Sequence, residues 1–170
     1  MLNQVFTICL LFIYSSSQAQ DSTLIHTKFY NRQATAMTIL GGWAGLNLVA
    51  SPLIKTKSMY SWPHFHQMNF NWNIVNAGIA SFGFISAKKK SKLEWTNLSL
   101  AQERRKLQKI LAINIGLDLC YMLVGSLLIK NASKLDDSSK NRNMGFGNSL
   151  IVQGAYLFIF DLAFLRRIRK

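Results

Sequence analysis

The sequence predicts an all-α fold, a bundle of four membrane-spanning helices. Three observations predict it. Only 16% of the 170 residues are charged, those charges avoid four stretches of 20 residues or more, and the connections between the stretches are short, polar and basic. Hydrocarbon offers no hydrogen-bond partner to backbone N–H and C=O groups, so a spanning segment must be a helix or a strand of a closed barrel. These stretches are about twice as long as barrel strands and do not alternate with period two, which leaves helices. A soluble four-helix protein would carry polar residues along every outer face, and these stretches do not.

The first element is the apolar run Val5 to Tyr14, followed by Ser15-Ser16-Ser17-Gln18-Ala19. Small residues at Ser17 and Ala19 behind a run too short to cross a bilayer form a signal-peptide pattern. Met1-Leu2-Asn3-Gln4 has no Lys or Arg, a departure from that pattern, so residues 1–19 read as a signal peptide or as a short N-terminal helix. Residues 20–170 read as one transmembrane helical domain with spans near 34–54, 65–87, 110–129 and 145–165. The first two carry no charge when His66 is neutral; the third holds Asp118 and the fourth Asp161. Pro52 and Pro63 punctuate the first connection, and Asp136-Asp137-Ser138-Ser139 the third. Ser99 and Gln102 have the spacing of a capping box, which starts the third helix near Ser99. With connections this short, consecutive helices pack antiparallel.

The two halves resemble each other. Ile39-Leu40 and Gly45-Leu46-Asn47-Leu48 recur as Ile110-Leu111 and Gly116-Leu117-Asp118-Leu119, and Ile74-Val75-Asn76 as Ile151-Val152-Gln153. The order and spacing point to a tandem duplication of a two-helix hairpin, with a pseudo-twofold along the membrane normal. Shared membrane composition is the competing explanation. Under duplication, Asn47, Asn76, Asp118 and Gln153 are four equivalent polar positions.

Helical spacing places Asn69, Asn73 and Asn76 on one face of the second span, and Asn114, Asp118 and Tyr121 on one face of the third. Ser149, Gln153 and Tyr156 repeat the pattern in the fourth, and Trp43 and Asn47 thin it out in the first. Polar groups left unpaired in hydrocarbon cost several kcal/mol, about 2–7 each, so these side chains turn to the bundle interior. Asn47, Asn69, Asn73, Asn76, Asn114, Asp118, Tyr121, Gln153 and Asp161 therefore form the candidate cluster. Two uses stay open: interhelical glue, aided by Gly41, Gly42, Gly45, Gly116, Gly125 and Gly154, or a ligand, ion or proton site around Asp118. Asp161, near the basic end of its helix, reads as a partner of Arg32 or Arg166.

The net charge of +13 and a pI near 10.1 do not indicate nucleic acid, because the basic residues sit in blocks beside apolar segments, as at Lys88-Lys89-Lys90 and Arg166-Arg167. Such blocks suit lipid headgroups and membrane topology, so the partners expected are the bilayer itself and a second copy or another membrane protein. Of the two cysteines, Cys9 lies in the signal-like run and Cys120 in the third span, which gives no disulfide and no cysteine metal site. His26, His64 and His66 lie outside or at the edge of the spans, with His64 and His66 reading as interfacial. No metal ligand set, nucleophile set or dinucleotide fingerprint is visible, which predicts neither a cofactor nor an enzyme.

Fourteen Lys and Arg fall on the side of the N-terminal stretch, central loop and C-terminal tail, and six on the other. The majority side should be cytoplasmic, whereas a cleaved signal would put it outside. A reporter after Lys170 distinguishes the two.

The motifs Gly-Gly-Trp-x3-Asn at Gly41 to Asn47, Asn-x-Trp-Asn-x2-Asn at Asn71 to Asn76, Asn-x-Gly-Leu-Asp at Asn114 to Asp118 and Gln-Gly-x6-Asp at Gln153 to Asp161 occur in this order. Over Arg32 to Leu165 the chain resembles an uncharacterised family of small bacterial membrane proteins with signal-like N-termini. The resemblance implies a multi-pass protein of the bacterial inner membrane and carries no catalytic residue. The reading is a structural or interaction component of the envelope, with a small-solute, ion or proton transporter using Asp118 as the alternative. A water-accessible cavity at Asp118 favours the second, and a closed, mutually bonded cluster the first.

Overall fold

The computed structural model describes the backbone of residues 2–55, 60–93 and 97–169, and the side chains of 24–54, 60–93 and 99–169. Among these residues there are four helices and no strand: α1 (Leu2–Lys55), α2 (Trp62–Lys90), α3 (Asn97–Ala132) and α4 (Asp137–Arg169). The all-α bundle is therefore the fold. α1 runs without a break through residues 20–33, which the sequence reading left outside its spans; no Gly or Pro interrupts the chain before Gly41. The signal-like segment 1–19 belongs to the part of α1 whose side chains lie outside the described residues. Pro52 stands one turn from the end of α1, and Pro63 occupies the first turn of α2, where its missing N–H leaves no bond unmade. Between them Tyr60 adopts a left-handed conformation, φ 59°, and turns the chain.

Direction follows from the contacts. A Cβ added at Gly41 would meet Ala80 at 3.5 Å, and Gly83 lies against Met37, so α1 and α2 run antiparallel. α3 and α4 are antiparallel too, with Gly125 opposite Gly147 and Gly154 opposite Asp118 and Met122. The two hairpins meet chiefly where α2 lies beside α4, with a smaller contact of α1 on α4. Gly145 lies against Ser61 and His64, and Gln153 against Asn69, so α2 and α4 are parallel, the direction that two successive hairpins share.

Glycine sets the closest approach, though not at every position anticipated. A Cβ at Gly125 would lie 2.6 Å from the Gly147 carbonyl oxygen, and one at Gly147 would lie 2.6 Å from that of Gly125, so the α3 and α4 backbones touch. Gly154 is held similarly, 2.9 Å from the Asp118 carbonyl. Gly42, Gly45 and Gly116 face open space, and Gly41 makes an ordinary contact, so the Gly41-x-x-x-Gly45 motif is not an internal packing seam.

The bundle is apolar outside and polar within. Large apolar side chains such as Leu46, Val49, Phe82, Ile113, Leu123 and Ile159 are exposed, while Asn69, Asn73, Asn76, Asp118, Gln153 and Asp161 are buried. α1, α3 and α4 are long and apolar enough to cross a membrane. α2 is not among them: its inward face is His66, Asn69, Asn73 and Asn76, and its apolar residues Ile74, Val75, Ile79 and Phe82 point outward. At the basic end of the bundle an apolar plug of Phe29, Tyr30, Leu100, Leu111, Phe164 and Ile168 closes the interior. There Arg32 Nη1 donates to the Arg167 carbonyl at 3.0 Å, and Lys90 pairs with Glu103 at 2.5 Å.

Candidate functional site

The polar residues sort into two groups with different properties. The first is a hydrogen-bonded seam across α1, α2 and α4, built from residues one helical turn apart: Trp43, Asn47 and Ser51 on α1, Asn69, Asn73 and Asn76 on α2, and Gln153 on α4. Asn69 is its hub. Its Nδ2 donates to Asn47 Oδ1 at 2.6 Å and Ser51 Oγ at 2.8 Å, and its Oδ1 accepts from Gln153 Nε2. Trp43 Nε1 donates to Gln153 Oε1 at 3.1 Å, Asn47 Nδ2 to the Trp43 carbonyl at 2.8 Å, and Asn73 Nδ2 to the Asn69 carbonyl at 2.7 Å. Asn76 Nδ2 reaches Asn73 Oδ1 at 3.4 Å. Trp43 also stacks on Tyr156, ring centroids 3.9 Å apart and 9° from parallel, which fixes α1 against α4. Each amide thus satisfies the next, in a form that water need not enter.

The second group lines a cavity of about 360 Å³ between the hairpins, reached by residues of all four helices. It lies between the seam and the apolar plug, where α2 and α3 touch through side chains: Trp72 sets its edge on Tyr121, centroids 4.7 Å apart at 78°. Asn114, Asp118, Tyr121 and Asp161 line it, together with Asn76, which belongs to the seam as well. The Asn114 side chain hydrogen-bonds to the Asp161 carboxylate. Asp118 and Asp161 retain only 3% and 6% of their exposure and line the same cavity. Asp118 Oδ2 and Trp72 Nε1 are buried with no hydrogen-bond partner among the described residues. No Lys or Arg is among the residues lining the cavity, and apart from Gln33 and the Trp72 indole its remaining wall is apolar.

Several sequence-level expectations change here. Asp161 does not pair with Arg32 or Arg166; one turn separates Asp161 from the start of the basic block, and it turns inward to Asn114 while Arg32 caps the Arg167 carbonyl. The four positions expected to be equivalent are not: Asn47, Asn76 and Gln153 join the seam, and Asp118 faces the cavity. Ser51 was missed, although Trp43, Asn47 and Ser51 recur every fourth residue and so share one face of α1. His66, expected at the interface, is buried and stacks with Trp62 at 6.1 Å. Among the described residues no group of three or more His, Cys, Asp or Glu is placed to hold a metal ion.

Apolar exterior, buried amides and a partnerless carboxylate are features of a membrane protein, and they do not by themselves name a family. No curated protein sequence and no solved structure matches the chain. A family model does, over residues 39–162, which includes the seam, both carboxylates and most of the cavity wall: the chain belongs to a family of unknown function (DUF6992).

Proposed function

We propose that this protein is a multi-pass integral membrane protein that binds a small solute in the cavity at Asp118 and Asp161, and that the asparagine seam is the structural element holding that cavity open. Asp118 Oδ2 carries the reading. A carboxylate oxygen buried without a donor costs more than almost any other buried group, and natural interiors supply a partner nearly always. Asp118 lines a space large enough for a small ligand, about 300–1,000 Å³ being the usual range. The seam supports the structural half of the reading, because its amides bond to one another and, of them, only Asn76 also reaches the cavity wall.

In this reading α2 crosses the bilayer with the other three helices, its amides sheltered by α1 and α4 and its apolar face in lipid. The membrane is the bacterial inner membrane, the role is non-enzymatic, and movement of the solute follows from a site midway along the helices. Lipid and a second copy remain the partners that the apolar outer faces suit.

The test is chemical access. In a Cys9→Ser, Cys120→Ser background, Asp118→Cys should react in the native, detergent-solubilised protein with a small cationic methanethiosulfonate. Ile113→Cys, which points to lipid, should react far more slowly. Reaction of Asp118→Cys only after denaturation would sink the binding site.

A further inference from the structure

If the cavity binds a solute, its walls specify the kind. We propose that it takes an organic monocation with an apolar body, a protonated amine. This rests on the binding reading above and adds the ligand's chemical class.

The argument is one of complementary parts. Two carboxylates line the space and no cationic side chain does, so the ligand must bring the positive charge. An anionic guest would be repelled by the carboxylates and a neutral hydroxyl would donate a weaker bond, whereas an ammonium N–H donates to Asp118 Oδ2 in a charge-assisted hydrogen bond. An inorganic divalent ion fits poorly. Calcium asks for about six to eight oxygens and magnesium for near-octahedral oxygen geometry, while the wall offers two carboxylates, three amides and one phenol among mostly hydrocarbon groups. That hydrocarbon is the second part. Leu107, Leu111 and Leu117 from α3 and Phe160 and Phe164 from α4 give an apolar body somewhere to lie, and the rings of Trp72 and Tyr121 add the faces on which cations rest. The third part is position. The plug blocks the basic end and the seam blocks the far end, while α2 and α3 make only a slight contact beside the cavity, so a guest that partitions into lipid can arrive sideways.

Three probes of one skeleton separate the possibilities: 2-phenylethylamine, protonated at neutral pH, 2-phenylethanol and phenylacetate. Binding to the purified full-length protein in a non-ionic detergent is read by equilibrium dialysis and by tryptophan fluorescence, since Trp72 is in the wall. The amine should bind about tenfold or more tightly than the alcohol, with no binding of the acid, and Asp118→Asn should weaken the amine by a similar factor. Sodium at the same concentration should not displace it.

Equal binding of all three, or an amine affinity unchanged in Asp118→Asn, overturns the cationic class and leaves a solute cavity. Displacement by sodium overturns the organic class. Absence of any binding while Asp118→Cys still labels also overturns it, with the cavity intact; absence of both binding and labelling removes the cavity reading as well. Should Asp118→Asn fail to fold, Asp161→Asn and the three-probe ranking on the unaltered protein decide.

Discussion

Asn69 makes or receives bonds from three helices, and its replacement exposes what the seam is worth. Asn69→Ala leaves Gln153 Nε2 without its acceptor and removes the donor to Asn47 and Ser51. Interhelical hydrogen bonds in membranes average about 0.6 kcal/mol each, and an orphaned buried group costs about 1–3 kcal/mol, so a loss of about 2 kcal/mol is expected. Thermal unfolding in detergent measures it, and Asn71→Ala, two residues along on the exposed side, should change nothing. A second residue carries a pH dependence. Ser139 N–H donates to Asp136 Oδ2 at 3.1 Å, capping the start of α4, and that bond holds the Asp136 carboxyl below its ordinary range. A carboxyl whose folded pKa is depressed contributes above the unfolded pKa, about 3.9, and loses that contribution as pH falls through the folded value. The protection of first-turn α4 amides, measured against their intrinsic exchange rate at each pH, should therefore fall on acidification below about pH 4 in the native protein. Asp136→Asn, which keeps the acceptor and cannot titrate, should flatten that response.

At the scale of elements, α3 and α4 form a backbone-to-backbone seam that depends on having no side chain at Gly125 and Gly147. Gly147→Leu has to push the helices apart, and overpacking of this kind costs about 1–3 kcal/mol. Gly42→Ala, where a Cβ meets nothing within 4 Å, should be neutral or slightly stabilising, because alanine favours a helix over glycine by up to about 1 kcal/mol. Comparing the two melting temperatures tests which glycines pack. This contrast also shows where sequence reasoning stops. The helices were legible because length, apolarity and the prolines are local properties, and the polar faces were legible because a period of 3.6 fixes which residues share a side. Which helix each face meets is not local. Gly41-x-x-x-Gly45 has the right spacing for close packing and Gly125 with Gly147 has no motif at all, yet only the second pair brings two backbones together. Asp118 and Gln153 likewise look equivalent in sequence, and only the positions of α2 and α3 show that one is bonded and the other faces a space.

For the whole molecule, the ends are clear from charge and contact together. Lys28, Arg32 and the Arg166–Arg169 block belong to one end, as the bond from Arg32 to the Arg167 carbonyl shows, and the α2–α3 connection with Lys88–Lys90 shares it through Lys90 and Glu103. That end holds most of the protein's basic residues and is expected on the cytoplasmic side. A fluorescent protein fused after Lys170 should therefore fluoresce, and an alkaline phosphatase at the same place should stay inactive; the reverse pair would place the basic end outside.

The inverted face of α2 bears on how the chain is made. A segment leaving the insertion machinery is sorted between water and lipid by its own composition, and a helix with four buried polar residues in its first half partitions weakly on those terms. Its bonds to Asn47 and Ser51 join it to the helix synthesised just before it, so α1 can enter first and wait while α2 enters against it. Assembly of this protein then proceeds by hairpins, and a lesion at Asn47 or Ser51 would show itself during biosynthesis, as a second helix left on the wrong side of the bilayer.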